Sequence, residues 1–220
     1  MSYVEQKETP KEIMEKNDFL HHLQKHIPEG SSELIWPLIS DFNFSLKVTN
    51  ERITKHGDYR LPHYGKDPHK ITVNGSLNVY AFLLTFLHEV AHMHAYELYG
   101  KRIKPHGVQW KRAFVNIAKP FLENHIWPAD VEIVLRSYFK NPKASSGADP
   151  ELVRVLHKYD ENQELRVEDI AEGALFLLAT SRERWFRKGV KRRTRYLCKD
   201  INTGKSFTIH GLAKVKSKNE

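Results

Sequence analysis

LNVYAFLLTFLHEVAHMHAYELY, residues 77–99, is the stretch from which the fold can be read. Ser76 is the expected cap and Gly100 the expected stop of a long helix. The first half is apolar around most of its circumference, which predicts a buried, central helix. The second half carries His88-Glu89-Val90-Ala91-His92, an H-E-x-x-H pattern. Residues i and i+4 of a helix differ by about 40° in azimuth and roughly 6 Å in rise. Two imidazoles so placed can converge on one ion at about 2.0–2.1 Å. Glu89 sits one position further round, close enough to take a proton from a water on that ion without ligating it.

A catalytic zinc takes three protein ligands and keeps one position open. His106 is the expected third ligand. It follows the break at Gly100–Pro105, is placed in the first turn of the next helix, and has beside it Gly107, which permits close backbone approach. His94 is the main competitor, but the 3.6-residue period turns it about 160° from His92. His125 is a weaker rival, far along the following helix. A metzincin pattern is disfavoured, because Ala95 and Leu98 stand where it needs glycine and histidine. Three imidazoles suit one Zn(2+) ion. Tyr96 is one turn beyond His92, where it could polarise a carbonyl, and Asp58 is placed to orient a ligand histidine. Met93, Phe86 and Tyr99 read as core. His21, His22 and His26 share a helical spacing but have no acidic or thiol partner for a metal site.

Around this helix the pattern predicts an α+β chain. Residues 11–27 form an amphipathic helix with Ile13, Leu20, Leu23 and Ile27 on one stripe. A second helix holds Leu34, Ile35, Leu38 and Ile39, with Ser31 or Ser32 as cap. FSLKVT (44–49), HGDYRLP (56–62) and HKITVN (69–74) are strand-like. Helices follow from about 106, with Trp110, Phe114 and Ile117 on one face and a disturbance at Pro120, and at 129–139. NPKASSGADP, residues 141–150, is the expected linker. The expected organisation is a core at 1–140, the linker, and a basic β-rich subdomain at 151–220. In the last, GALFLLAT, RTRYLCKD and KSFTIHGLAKVK are strands, with a turn at Asn202–Gly204.

Charge divides the chain the same way. The formal net charge is +8, yet residues 182–218 hold 13 Lys or Arg against 2 acidic residues, leaving −3 on the remainder. Arg184, Arg187, Lys191, Arg192, Arg193 and Arg195 are therefore candidate phosphate contacts, with Trp185, Phe186, Tyr196 and Phe207 as candidate base-stacking rings. No base-reading motif accompanies them, so contact would be independent of nucleotide sequence. Cys198 is the single cysteine, which excludes an internal disulfide and a Cys-rich zinc site. With no apolar leader and no span of about 20 apolar residues, the expectation is a cytoplasmic protein without membrane contact.

HEVAHMHAYELYGKRIKPHGVQWKRAF, residues 88–114, resembles the SprT-like metallopeptidases, whose eukaryotic members include the Spartan proteases. The matching features are HExxH on a central helix, a short loop, a His-Gly at 106–107, and an aromatic at 110 opening a helix. GDYRLP and ITVNGSL are similar to that family's entry segments, and the likeness covers roughly residues 40–125. The resemblance implies a helical, zincin-like core on a small sheet, with His88, His92 and His106 as zinc ligands and Glu89 as the catalytic carboxylate. It implies a zinc metalloendopeptidase whose protein or peptide substrates include DNA-associated proteins. Many members carry a two-Cys-pair zinc ribbon after the core. Here only Cys198 stands in that region, so the C-terminal subdomain is expected to be a degenerate, ribbon-like β-unit without metal. The alternative is a nucleic-acid-binding module whose metal is structural or catalytically silent.

Overall fold

The computed structural model describes residues 10–50, 55–63, 67–181 and 183–217, with the backbone alone at 10–15 and 217. The side chain of Ile13, and Arg182 and Lys218 of the basic stretch, lie outside what is described. The chain is α+β and divides into two compact units, Met1–Asp160 and Glu161–Glu220.

The first unit opens with α1 (Pro10–Gln24) and α2 (Ser32–Ile39), then strands β1 (Phe44–Thr49), β2 (Gly57–Arg60) and β3 (His69–Asn74). The strands form a sheet in the order β1-β3-β2, with β1 parallel and β2 antiparallel to β3. Then come α3 (Val79–Tyr99), α4 (Val108–Glu123), α5 (Ala129–Tyr138), a 3₁₀ turn (Ser146–Ala148) and α6 (Pro150–His157). α3 packs against β2, β3 and α4. Every residue from Phe82 to Leu87 is buried, as a helix apolar on all sides requires. Ile71 and Val73 of β3, both fully buried, belong to the same core.

Several local expectations change. Asn78, not Ser76, caps α3: its side chain accepts from the Tyr80 and Ala81 N–H groups, and its amide donates to Leu156 O and to Asp160. Ser31 occupies the N-cap of α2 but makes no capping bond. α4 runs through Pro120 to Glu123. Tyr99 is 45% exposed rather than core, because α3 has outrun its neighbours there. The 141–150 segment is not a free linker. Its polar residues close on each other and on α5, and α6, assigned from sequence to the C-terminal subdomain, buries Leu152, Val155 and Leu156 in the first unit's core.

The second unit is a five-stranded antiparallel sheet, order β7-β6-β5-β4-β8, from β4 (Leu175–Leu178), β5 (Trp185–Arg192), β6 (Arg195–Asp200), β7 (Ser206–His210) and β8 (Val215–Ser217). β5 was missed in the sequence because its cations mask the alternation: Phe186 and Lys188 face inward, and Arg187 outward. Among the described residues no helix is long and apolar enough to cross a membrane.

Candidate metal centre

His88 and His92, one turn apart on α3, point to the same side, and the loop after Gly100 returns His106 to meet them. The His106 Nε2 lies 3.2 Å from that of His88 and 3.0 Å from that of His92. Two ligands at about 2.05 Å from a tetrahedral ion stand about 3.3 Å apart, so the spacing is that of a ligand set. Among the described residues this is the one group of three or more His, Cys, Asp or Glu with donor atoms all within 4.8 Å. His106 does not open α4, as expected from sequence, but precedes it with φ 55°, and Gly107 is the N-cap residue. A Cβ on Gly107 would sit 2.8 Å from Lys104 O, so glycine is what lets the loop close this tightly.

Burial, with His92 and His106 close by, pulls the His88 pKa down to about 3. Burial and His106 bring His92 to about 4, and burial lowers His106 as well. All three rings are thus neutral at pH 7, the form that ligates a cation. One shared N–H is the most that these three converging nitrogens can offer one another, and a bound divalent ion fits the donor set better.

The support beneath the rings is aromatic. Trp110, fully buried, lies 4.6, 5.3 and 4.7 Å from the ring centres of His88, His92 and His106. Tyr59 on β2 stacks on His92 at 5.8 Å and 8°. Its hydroxyl is 2.8 Å from His69 Nδ1, while His69 Nε2 is 2.9 Å from Glu97. With Nε2–H donating to that carboxylate, Nδ1 accepts from the phenol, so the stacked ring is anchored from behind. Burial, then Tyr96 and Glu97, push the Tyr59 phenol up, which keeps it protonated.

Glu89 is 6% exposed and lines the same cleft of about 610 Å³ as the three histidines. Gly57 of β2 lies against it. The other candidates are elsewhere. His94 Nε2 bonds to Leu38 O, His125 pairs with Glu132, and His22 Nδ1 bonds to Asp18 O. Asp58 is held by Lys55 and Arg60 rather than by a ligand histidine. Tyr96 lines the cleft, with its ring edge-on to His69. Trp110 belonged to the sequence motif, but nothing in the sequence marks Tyr59, His69 and Glu97 as neighbours of the site, since they come from three different elements.

The basic candidates differ in what holds them. Arg184 bonds Asp200, which is 2% exposed, at 2.5 Å, and lies 4.3 Å over the Phe207 ring; it serves the unit's own packing. Phe186 and Tyr196 are buried in the sheet's core, and Phe207 packs against it, so these rings are not stacking platforms. Lys191, Arg192, Arg193 and Arg195 instead crowd the exposed β5–β6 turn. Arg187 and Arg195 are exposed but donate to the Gly173 and Thr208 carbonyls.

Two imidazoles one helical turn apart, a third from the following loop and a buried carboxylate in the same cleft define a candidate divalent-cation site of the HExxH type. The SprT-like family model matches residues 17–130, just over half of the chain, and the chain belongs to the SprT-like family. No curated protein and no solved structure matches it.

Proposed function

We propose that the chain is a metal-dependent peptidase of zincin-like architecture whose ion, zinc by its ligand chemistry, is held by His88, His92 and His106. The observation that carries this is the convergence of the three histidine nitrogens in a cleft that Glu89 also lines. A zinc ion held there would supply Lewis acidity and would bring the pKa of water toward ~7. The protein's own groups do the rest. β2 is an edge strand beside the cleft, so an extended peptide can pair along it and present its carbonyl at the open side of the histidine cluster. Glu89 accepts the proton of the attacking water and returns it to the leaving amine. Trp110 and the Tyr59–His69–Glu97 chain hold the imidazole planes fixed. Glu89→Gln tests this: the variant should keep its metal and lose cleavage by a factor of ~10³ or more. Full activity in that variant removes Glu89 from the reaction.

A second property is supported by the C-terminal unit. Arg192 and Arg195 are directly opposed across β5 and β6, where like charges are destabilising. A phosphate between them would relieve that repulsion, so we read the Lys191–Arg195 turn as a sequence-independent nucleic-acid contact, by which substrates associated with DNA could be reached. Arg192→Glu with Arg193→Glu should weaken binding to duplex DNA and flatten its salt dependence; unchanged affinity would end this assignment.

A further inference from the structure

Beside the histidines the cleft is lined by a second set of residues whose chemistry the metal site does not require. Leu84 lies one turn before His88 on α3, Phe114 one turn after Trp110 on α4, and Tyr138 at the end of α5. They are 1%, 1% and 5% exposed, and all three line the cleft. The Phe114 ring stands edge-on to that of His88 at 5.5 Å, so the apolar wall begins where the ligand set ends.

Residues 144–147 supply the rest of this wall. The segment is held in place. The Tyr138 hydroxyl donates to Lys143 O at 3.2 Å, Lys143 pairs with Asp149 at 2.9 Å, and Ser145 Oγ accepts from the Gly147 N–H. The Tyr138 O–H is thereby used by protein, and the Ser145 oxygen is used as an acceptor. Burial raises the Tyr138 phenol to about 12, which leaves it uncharged. The wall carries no ionised side chain. The charges at the cleft, Lys55, Asp58 and Lys101, belong to the β2 side and the loop after α3, and Glu89 lies beside the histidines.

We propose that this wall is a specificity pocket for a large apolar side chain, Phe, Leu, Tyr or Met, next to the peptide bond that is cut, and that it rejects Asp and Glu at that position. The inference rests on the peptidase reading. An apolar side chain seated there leaves water for a surface of matching chemistry. A carboxylate would lose its hydration and gain no cation, only neutral serine hydroxyls. In a hydrophobic pocket a single missing methylene already costs roughly 10- to 200-fold in kcat/KM, and an unpaired carboxylate costs at least as much.

The experiment is digestion of a mixed peptide library by the zinc-loaded full chain, with cut sites read by mass spectrometry. Phe, Leu, Tyr and Met should be enriched at least ~10-fold over Asp and Glu on one side of the cut. Ala144→Trp, a substitution on the exposed loop, should fill the pocket and shift the preference to Ala and Ser while cleavage continues. Cuts without bias, or a bias that Ala144→Trp leaves intact, would overturn the pocket and leave the peptidase reading standing. No cuts at all would overturn the peptidase reading. The pocket is then judged on zinc-loaded Glu89→Gln protein, by fluorescence anisotropy with one labelled peptide centred on Phe and its Asp counterpart. Tighter binding of the Phe peptide by ~10-fold supports it, and equal affinities refute it.

Discussion

Gly57→Ala is the smallest change that should disable this protein without touching its ligands. A Cβ at Gly57 would fall 2.7 Å from Thr85 Cγ2 and 3.0 Å from Glu89 Cγ, and nearer still to Glu89 Oε1. Ordinary contact begins near 3.4 Å, so something must yield by about 0.7 Å or more. β2 cannot easily retreat, because Gly57 is paired with Val73 in the ladder to β3. Thr85 is fixed on α3 by its own bond to Ala81 O. The Thr85 contact must therefore be relieved by a strained shift of β2 and α3, while the Glu89 carboxylate, at the end of a longer side chain, is pushed furthest. A displacement approaching 1 Å in a reacting group lowers rate by about 10²-fold, equivalent to about 2.7 kcal/mol. The assay is kcat on a cleavable peptide, paired with zinc affinity by chelator competition. Gly57→Ala should lose about 100-fold in kcat and keep zinc affinity within roughly threefold, since the three atoms nearest the new methyl belong to Glu89 and Thr85 and not to His88, His92 or His106. Wild-type turnover, or a loss that tracks a loss of zinc, would refute the reasoning.

Two further outcomes follow from the same geometry. Trp110→Ala removes the surface shared by all three imidazoles and should weaken zinc binding by 10- to 100-fold, besides destabilising the fold by about 3–5 kcal/mol. Trp110→Phe should recover much of both, and unchanged zinc affinity in Trp110→Ala would show that the rings are positioned by something else. The metal-free chain should lose stability on acidification. His88 and His92 titrate at about 3 and about 4 when folded, but near 6.5 when unfolded. Below pH ~6.5 the unfolded chain therefore binds protons that the folded chain refuses. Stability should fall by roughly 1.4 kcal/mol per pH unit per histidine until the folded values are reached. Urea midpoints measured from pH 7 to 5 test this, and a flat profile contradicts it.

What the sequence revealed, and what it hid, follows from where each interaction is encoded. The pair His88 and His92 was legible because its spacing lies within one helix, and α3 itself was legible because its apolar run admits no other placement. His106 was legible as a ligand, but not its backbone: a positive φ before the helix is set by how the loop after Gly100 closes, and no local pattern states it. The Asn78 cap was missed because its amide is also fixed by Leu156 and Asp160, about 80 residues away. The same non-locality hid the 144–147 wall. Pro, Gly and Ser in NPKASSGADP read as a linker, whereas Tyr138, Lys143 and Asp149 fold that segment onto α5 and into the cleft. β5 was obscured by its cations: Lys188 is buried, its ammonium 4.2 Å over the Tyr196 ring and bonded to the Ile170 carbonyl. A charged residue serving as core breaks the alternation from which strands are read.

On the proposed reading, His88 and His92 of α3 and His106 of the following loop gather around one cation. Zinc stoichiometry and X-ray absorption on the full chain, with His106→Ala alongside, test it most directly. One equivalent of zinc with imidazole nitrogens at about 2.0–2.1 Å, largely lost in His106→Ala, is the predicted result. Zinc binding that is absent, or indifferent to His106, would contradict it.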